Sequence, residues 1–247
     1  MFRRLSFVLF VLLTAATLHA QGKRPITFED MMSLKRVGEP VPSPDGKWVA
    51  FTAVEVDLVA NTRTPHIWIV PLEGGGARQI TKGTGEQRPR WSPDGKHFLY
   101  LMDAGDGSQV HVLDFDPASG QAMPNGWQIT HISSGADGAL WSPDGKNILF
   151  VSEVYPDCPD DACNKARDDE KSKSKVKALM FTQLLYRHWT RYSEGKRSHL
   201  FVVAAEGGVH PSEPKAGSPG TPAVARDLTP GDYDVPPFSL GGQDDYA

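Results

Sequence analysis

The chain predicts an all-β fold, a partial β-propeller of about three to four blades of four-stranded antiparallel sheet with a short N-terminal helix. Three observations carry that expectation. One phrase occurs three times, as Ser43-Pro44-Asp45-Gly46-Lys47, Ser92-Pro93-Asp94-Gly95-Lys96 and Ser142-Pro143-Asp144-Gly145-Lys146, at intervals of 49 and 50 residues. Each copy is followed by an apolar strand: Trp48 to Thr52, Phe98 to Leu101, and Ile148 to Val151. Each unit then runs through a second apolar strand and closes on a third that ends Gln79-Ile80-Thr81, Gln128-Ile129-Thr130 or Asp227-Leu228-Thr229. Several strands per unit at such a period are the pattern of propeller blades. A helical solenoid conflicts with the strand chemistry, and a plain sandwich would not repeat one phrase in register.

The phrase has its own physical reading. Proline presets φ at the second turn position, aspartate bonds the local backbone, and glycine takes the positive φ that closes the turn. Trp91 and Trp141 stand directly before the serine in the later copies, where Pro42 stands in the first. The strands after the turns are aromatic and β-branched with few polar interruptions, so both of their faces are expected to be buried.

Taken in order, the chain opens with Arg3 and Arg4 before an apolar run from Leu5 to Leu18, with Ala20 ahead of Gln21. Residues 1–20 therefore read as a secretory signal peptide, the run being short for a membrane anchor. Residues 21–40 read as a lead-in whose helix is capped by Thr27, with Asp30 at the third helical position; its apolar face is expected to pack on the propeller edge. The incomplete propeller fills 41–247, with units at about 41–90, 91–140 and 141–247. In the first unit, Glu73 to Gly76 reads as a hairpin tip and not a phosphate loop, since no Lys and Ser or Thr follow the glycines. In the second, the aspartates near Asp103 and Asp114 lack the ordered oxygen set of a calcium loop.

The third unit carries two insertions, 155–196 and 207–225. The first begins with Cys158 and Cys163, the only cysteines. In an oxidising compartment they read as a disulfide, with half a metal site or two unrelated thiols as the alternatives. A basic run from Lys165 to Lys177 follows and reads as a solvated face. Arg187, His188, Trp189 and Arg191 then mix aromatic and cationic groups, which suits either the lining of a ligand pocket or a packed strand with snorkelling arginines. The second insertion is rich in Pro, Gly and Ser and reads as a hairpin extension without chemistry. A net charge of −4 and 39% hydrophobic residues allow a sizeable core and give no reason to expect nucleic acid. No metal or cofactor is expected, and no membrane contact once the signal is removed. The scattered histidines, among them His66, His111 and His188, read as structural or exposed. The chain stops where a fourth copy of the turn phrase is expected, so it reads as a fragment.

The aromatic-Ser-Pro-Asp-Gly-Lys phrase and the segment Ile67 to Thr81 resemble the propeller repeats of TolB-type periplasmic proteins and of the prolyl oligopeptidase family of serine peptidases. The opening Ile26 to Gly46 and the segments Tyr155 to Cys158 and Arg197 to Phe201 are similar to exported bacterial peptidases of the acylaminoacyl-peptidase and dipeptidyl-peptidase 5 type. That resemblance implies an N-terminal propeller that gates a following α/β-hydrolase domain, which holds the serine, histidine and aspartate. The partners it implies are a peptide substrate, met through the full-length enzyme, and the hydrolase domain itself. This chain has no Gly-x-Ser-x-Gly; Ala216 to Gly220 lacks the first glycine, so no catalytic residue is carried over. A TolB-like binding scaffold without catalysis is the alternative.

Overall fold

The computed structural model describes residues 24–103, 105, 107–123, 126–182, 186–188, 191–192, 194–207 and 224–235, with only the backbone of His188 and Arg191. The expected signal peptide, Trp189, most of the second insertion, Ala216 to Gly220 and the last residues lie outside them. The chain divides into two units between Leu34 and Lys35. The first holds helix α1 (Phe28–Ser33). Its capping box forms as the sequence expects, with Asp30 N donating to Thr27 Oγ1 at 3.2 Å and Thr27 N donating to Asp30 Oδ2 at 2.9 Å. Arg24 also grips Asp30, and that guanidinium holds the carboxyl down at about 2. Phe28, Met31 and Leu34 are exposed.

Among its described residues the second unit holds three larger antiparallel sheets and one two-stranded hairpin. In the first, β1 (Arg36–Val37) and β2 (Val41–Pro42) share one edge of β3 (Trp48–Asp57), and β4 (Thr62–Pro71) and β5 (Arg78–Gln79) follow outward. The second runs β6 (Gln87–Trp91), β7 (His97–Asp103) and β8 (Ser108–Asp116), with β9 (Gln121–Ala122) and β10 (Trp127–Gln128) both paired to β8. The third has β11 (Asp137–Trp141) and β12 (Asn147–Val154). Helix α2 (Asp161–Lys173) and a small hairpin of β13 (Arg187–His188) and β14 (Arg191–Tyr192) come next in the chain, and β15 (Arg197–Ala204) and β16 (Arg226–Asp227) complete the sheet. These are blades of a partial propeller. The first begins at Arg36, inside the segment read as lead-in, because Gly38 to Pro40 form a break in an inner strand. Breaks recur at the matching places in β6, between Gln87 and Arg90, and in β11, between Asp137 and Leu140.

The repeated phrase builds the same turn three times. The Ser43, Ser92 and Ser142 hydroxyls each donate to the aspartate two residues on at 2.6 Å. Each also accepts the N–H of the first strand residue, at 3.0, 3.0 and 2.9 Å. The aspartate takes the lysine N–H as well, at 3.1, 3.0 and 3.0 Å. The glycines sit at φ 69, 70 and 72°, where a Cβ would crowd the backbone. The blade ends repeat too. Thr81, Thr130 and Thr229 hydroxyls accept the N–H of Ile67, Val110 and Leu200 at 2.9, 2.8 and 3.0 Å, so a two-residue closing strand leaves no orphaned donor there.

Strand alternation explains why both faces of the middle blade are apolar. Phe98, Tyr100, Leu113 and Phe115 point back onto Ala50, Ile67 and Ile69 of the first blade. Leu99, Leu101, Val110 and Val112 point forward onto Ile148, Phe150, Phe201 and Val203 of the third. The tryptophans before the turns add a polar tie: Trp91 Nε1 donates to Val41 O at 3.0 Å and Trp141 Nε1 to Arg90 O at 3.3 Å, each reaching one blade back. On the outer face of the first blade Val49, Phe51, Trp68 and Val70 stay half-buried, as do Leu149, Leu200 and Val202 on that of the third.

Candidate functional site

Alternating strand direction sorts the connections onto two sides. The turn phrases lie beside the ends of β4, β8 and β15, as Leu72 N to Lys47 O, Phe115 N to Lys96 O and Ala205 N to Lys146 O show, at 2.8, 2.7 and 2.9 Å. The second insertion leaves from that turn side. The first leaves from the opposite side, which also carries the links between blades. The two insertions therefore leave the third blade from opposite sides.

On the link side, one polar residue per blade, half-buried at His66 and buried at Gln109 and His199, clamps the next link. His66 Nδ1 meets Glu86 Oε2 at 2.8 Å, and Glu86 also takes the Gly83 N–H. At the matching position Gln109 donates to Ile132 O at 2.8 Å. At the third, His199 bonds Asp227 Oδ2 at 2.7 Å and Gly231 O at 2.9 Å. Among the described residues the side chains bonded to histidines are Glu86, Asp114, Asp227 and Gln128, and none is a serine or cysteine. His111 stacks on Tyr100 with ring centroids 5.4 Å apart; burial pushes the imidazole down to about 4 and the phenol up to about 12. The inner strands add paired charges: Arg88, in the left-handed region at φ 54°, lies 3.1 Å from Asp137, and Arg90 lies 3.1 Å from Glu39.

The first insertion is a braced platform. Cys158 and Cys163 are joined as a disulfide across the start of α2, whose N-cap Asp160 accepts from Cys163 N at 2.9 Å. Asn164, buried, accepts the Tyr155 N–H at 2.7 Å and donates to Asp160 O at 3.0 Å. Asp161 accepts from Ser133 N and Ser133 Oγ at 3.0 and 2.7 Å, which fastens the helix to the link from the second blade. Tyr155 bonds Asp168 at 3.1 Å, and Arg167 and Lys196 lie over its ring at 5.0 and 5.2 Å. Its burial, with the Asp168 carboxylate beside it, raises the phenol to about 12. The basic run is thus largely the solvated face of a helix, an element that its sequence does not announce because no apolar stripe marks it.

Beyond the helix, Phe181 stacks on Tyr186 and Tyr192 with centroids 4.9 and 5.7 Å apart, and both tyrosines are exposed. Of the residues read as pocket lining, Arg187 and His188 pair with Tyr192 and Arg191 across the hairpin, and Arg187 is exposed. Tyr186 and Tyr192 lie inside the aromatic and cationic stretch that the sequence marks at 184–192, whereas Phe181 stands three residues before it and was not singled out. The arrangement offers donors, cations and ring faces, which suit binding. Among the described residues no group of three or more His, Cys, Asp or Glu could hold a metal ion.

The chain is 27% identical over 183 residues to dipeptidyl-peptidase 5 of Porphyromonas endodontalis, a match covering 72% of this chain and 24% of that protein. It is 27% identical over 185 residues to dipeptidyl-peptidase 5 of Porphyromonas gingivalis, covering 74% and 25%. The matches therefore span about a quarter of the length of these curated relatives. Among solved structures, the acylaminoacyl peptidase of Pyrococcus horikoshii aligns with a TM-score of 0.50 at 17% identity, covering 73% of this chain and 25% of that one. At that identity the likeness speaks for the fold alone. No family model matches the chain.

Proposed function

We propose, from the premise that this chain is the N-terminal propeller part of a prolyl oligopeptidase-family peptidase, that it acts as the access-controlling domain of an exported serine exopeptidase. The reaction is carried by an α/β-hydrolase domain of the same polypeptide, of the dipeptidyl- or acylaminoacyl-peptidase class. The observation that carries this reading is the similarity over 72% of the chain to a dipeptidyl-peptidase of which it matches only 24%. The fold fits the role. Paired blades bury their faces against each other, leaving the half-buried faces of the first and third blades as the places where further blades pack. The inner strands set charged pairs, Arg88 with Asp137 and Arg90 with Glu39, near the break in each strand. Such a wall admits flexible peptides and excludes folded ones. Export follows from the signal-like start and agrees with the Cys158–Cys163 bridge, which persists in oxidising compartments. No helix among the described residues is long and apolar enough to cross a membrane.

The test is to treat extracts of the source cells with a fluorophosphonate probe, which labels activated serines. The labelled bands are then searched for the tryptic peptide Thr64 to Arg78. A labelled band much longer than 247 residues that contains this peptide is expected. Finding it only in an unlabelled species the size of this chain would overturn the reading and favour a binding scaffold.

A further inference from the structure

We infer that Arg88 is a binding residue of the propeller's inner wall for a peptide carboxylate, and that the Asp137 carboxylate is the group such a ligand displaces. This deepens the peptidase reading, on which it rests, by naming a substrate class, short anionic peptides. The turn phrase supplies the register: Glu39, Arg88 and Gly138 each stand four residues before its serine. Arg88 and Gly138 share one backbone conformation, at φ 54 and 55°. Glycine takes it freely, whereas the Cβ of any other residue crowds the carbonyl that follows. Among the described residues the other non-glycine with positive φ is Asn61, in the turn between β3 and β4, a residue type that tolerates it. The third blade thus shows that this break folds with glycine, and the second blade keeps an arginine there against backbone strain. Strain held in this way points to a side chain retained for what it contacts.

Neighbouring blades hold Arg88 from both sides. Its N–H donates to Thr52 Oγ1 of β3 at 3.2 Å, and its Nη1 donates to Asp137 Oδ1 of β11 at 3.1 Å. The next residue, Pro89, is buried and fixes the backbone behind it. β6 is the inner strand of its blade, the strand that borders the central channel of a propeller. The bond to Asp137 does not account for the arginine. The two side chains are 36% and 50% exposed, so the pair is of the surface kind, which contributes little to folding. It does show what the guanidinium recognises. Asp137 Oδ1 also accepts the Gly138 N–H at 2.8 Å, so the acid keeps a donor when an incoming carboxylate takes its place on Arg88. Exchanging one half-exposed carboxylate for another costs little, and a ligand free to orient itself can add the bidentate grip of a guanidinium. Arg90, two residues on and paired with Glu39, is only 16% exposed, which leaves Arg88 as the more accessible of the two.

The experiment titrates the uniformly 15N-labelled full chain with three acetylated tripeptides: trialanine with a free terminal carboxylate, Ala-Asp-Ala amide, and trialanine amide. The Arg88 Nε–H resonance is identified by its loss in Arg88→Lys. It is expected to shift with an anionic peptide at a half-saturation at least about tenfold lower than with the neutral amide. Which of the two anionic peptides binds better tells a terminal from a side-chain carboxylate. Asp137→Asn, which removes the competing charge, should lower the half-saturation about threefold. Arg88→Gly should leave the thermal midpoint unchanged or raise it, because it relieves the backbone, and should abolish the peptide-induced shift of the Gly138 N–H. A midpoint lowered by Arg88→Gly would make the arginine a structural tie between blades and overturn the inference. So would an equal response to the neutral amide, or a Gly138 shift that survives Arg88→Gly. Because binding is read on this chain alone, a failure here leaves the fluorophosphonate result untouched.

Discussion

Phe98 and Phe181 are both ringed by aromatics, yet they belong to regions built on different principles. Phe98 is fully buried, 3.8 Å from the Trp91 ring centroid and 5.2 Å from that of Phe115, in a layer that joins two blades. Phe181 stacks on two tyrosines that are themselves exposed. The blades are held by burial shared between neighbours, whereas the insertion is held by a few polar bonds, Asn164 to Tyr155 and Asp161 to Ser133 above all. Where stability comes from shared area, a single truncation is felt across the whole unit; where it comes from discrete bonds, damage stays local. A region free of that shared load can change its surface chemistry, which is what a recognition element requires.

The largest expected effect tests the first half of this contrast. Phe98→Ala should cost about 3–5 kcal/mol, since it removes a fully buried ring and leaves a cavity between blades. Urea unfolding followed by tryptophan fluorescence would report it, because Trp91 lies against the ring. Phe181→Ala should shift the same midpoint by less than about 0.5 kcal/mol. Comparable losses in the two variants would show that the insertion shares the propeller core.

Next in size is Asn164→Ala, at about 1–3 kcal/mol, because it leaves the buried Tyr155 N–H without an acceptor. The loss should be confined to the insertion. Hydrogen exchange should accelerate in residues 155–173 and trypsin should cut faster after Lys171 and Lys173, while the urea midpoint of the blades stays in place. Movement of both together would break the proposed separation.

Opening the Cys158–Cys163 bridge follows. A loop so short gives about 2 kcal/mol by chain entropy. Reduction, or Cys158→Ser with Cys163→Ser, should fray the start of α2 and raise exchange there without altering the sheets. The Asp160 cap and the Asp161 contacts to Ser133 remain to hold the helix in place.

The same contrast explains what could be read from the sequence. The blades were legible because their chemistry repeats: Ser, Asp and Gly at fixed offsets make one turn three times, and Ile67, Val110 and Leu200 each meet a threonine hydroxyl. Repetition gives each position three witnesses. The inner strands were less legible, since Gly38 to Pro40 reads locally as a helix stop and serves here as a strand break. Helix α2 escaped because its residues are nearly all polar, so no apolar period marks it, and its anchors are single side chains such as Asn164. Phe181 escaped for a related reason: its ring contacts with Tyr186 and Tyr192 follow no period in the sequence. Arg187, His188 and Arg191 were found by composition, which supplies the charge but not the partner.

The smallest effect concerns a buried imidazole in the blade interface whose environment opposes its charge. His111 on β8 stacks on Tyr100 of β7 and has Glu86 from the blade link and His131 from beyond β10 as titratable neighbours; among the described residues its Nε2 has no hydrogen-bond partner. Burial, with a smaller contribution from His131, lowers its pKa from 6.5 to about 4, and Glu86 offsets only part of this. The unfolded chain therefore binds a proton between those values that the folded chain refuses. The stabilisation is present in full above pH 6.5 and is lost as pH falls toward 4. Over the first unit of acidification the loss should be at most about 1 kcal/mol, read as a lower thermal midpoint. His111→Gln should flatten that slope, whereas Asn164→Ala should leave it intact, because the proton is excluded by the interface between blades and not by the insertion. A slope that survives His111→Gln would place the acid-sensitive group elsewhere and weaken the distinction between a core that answers globally and a platform that answers locally.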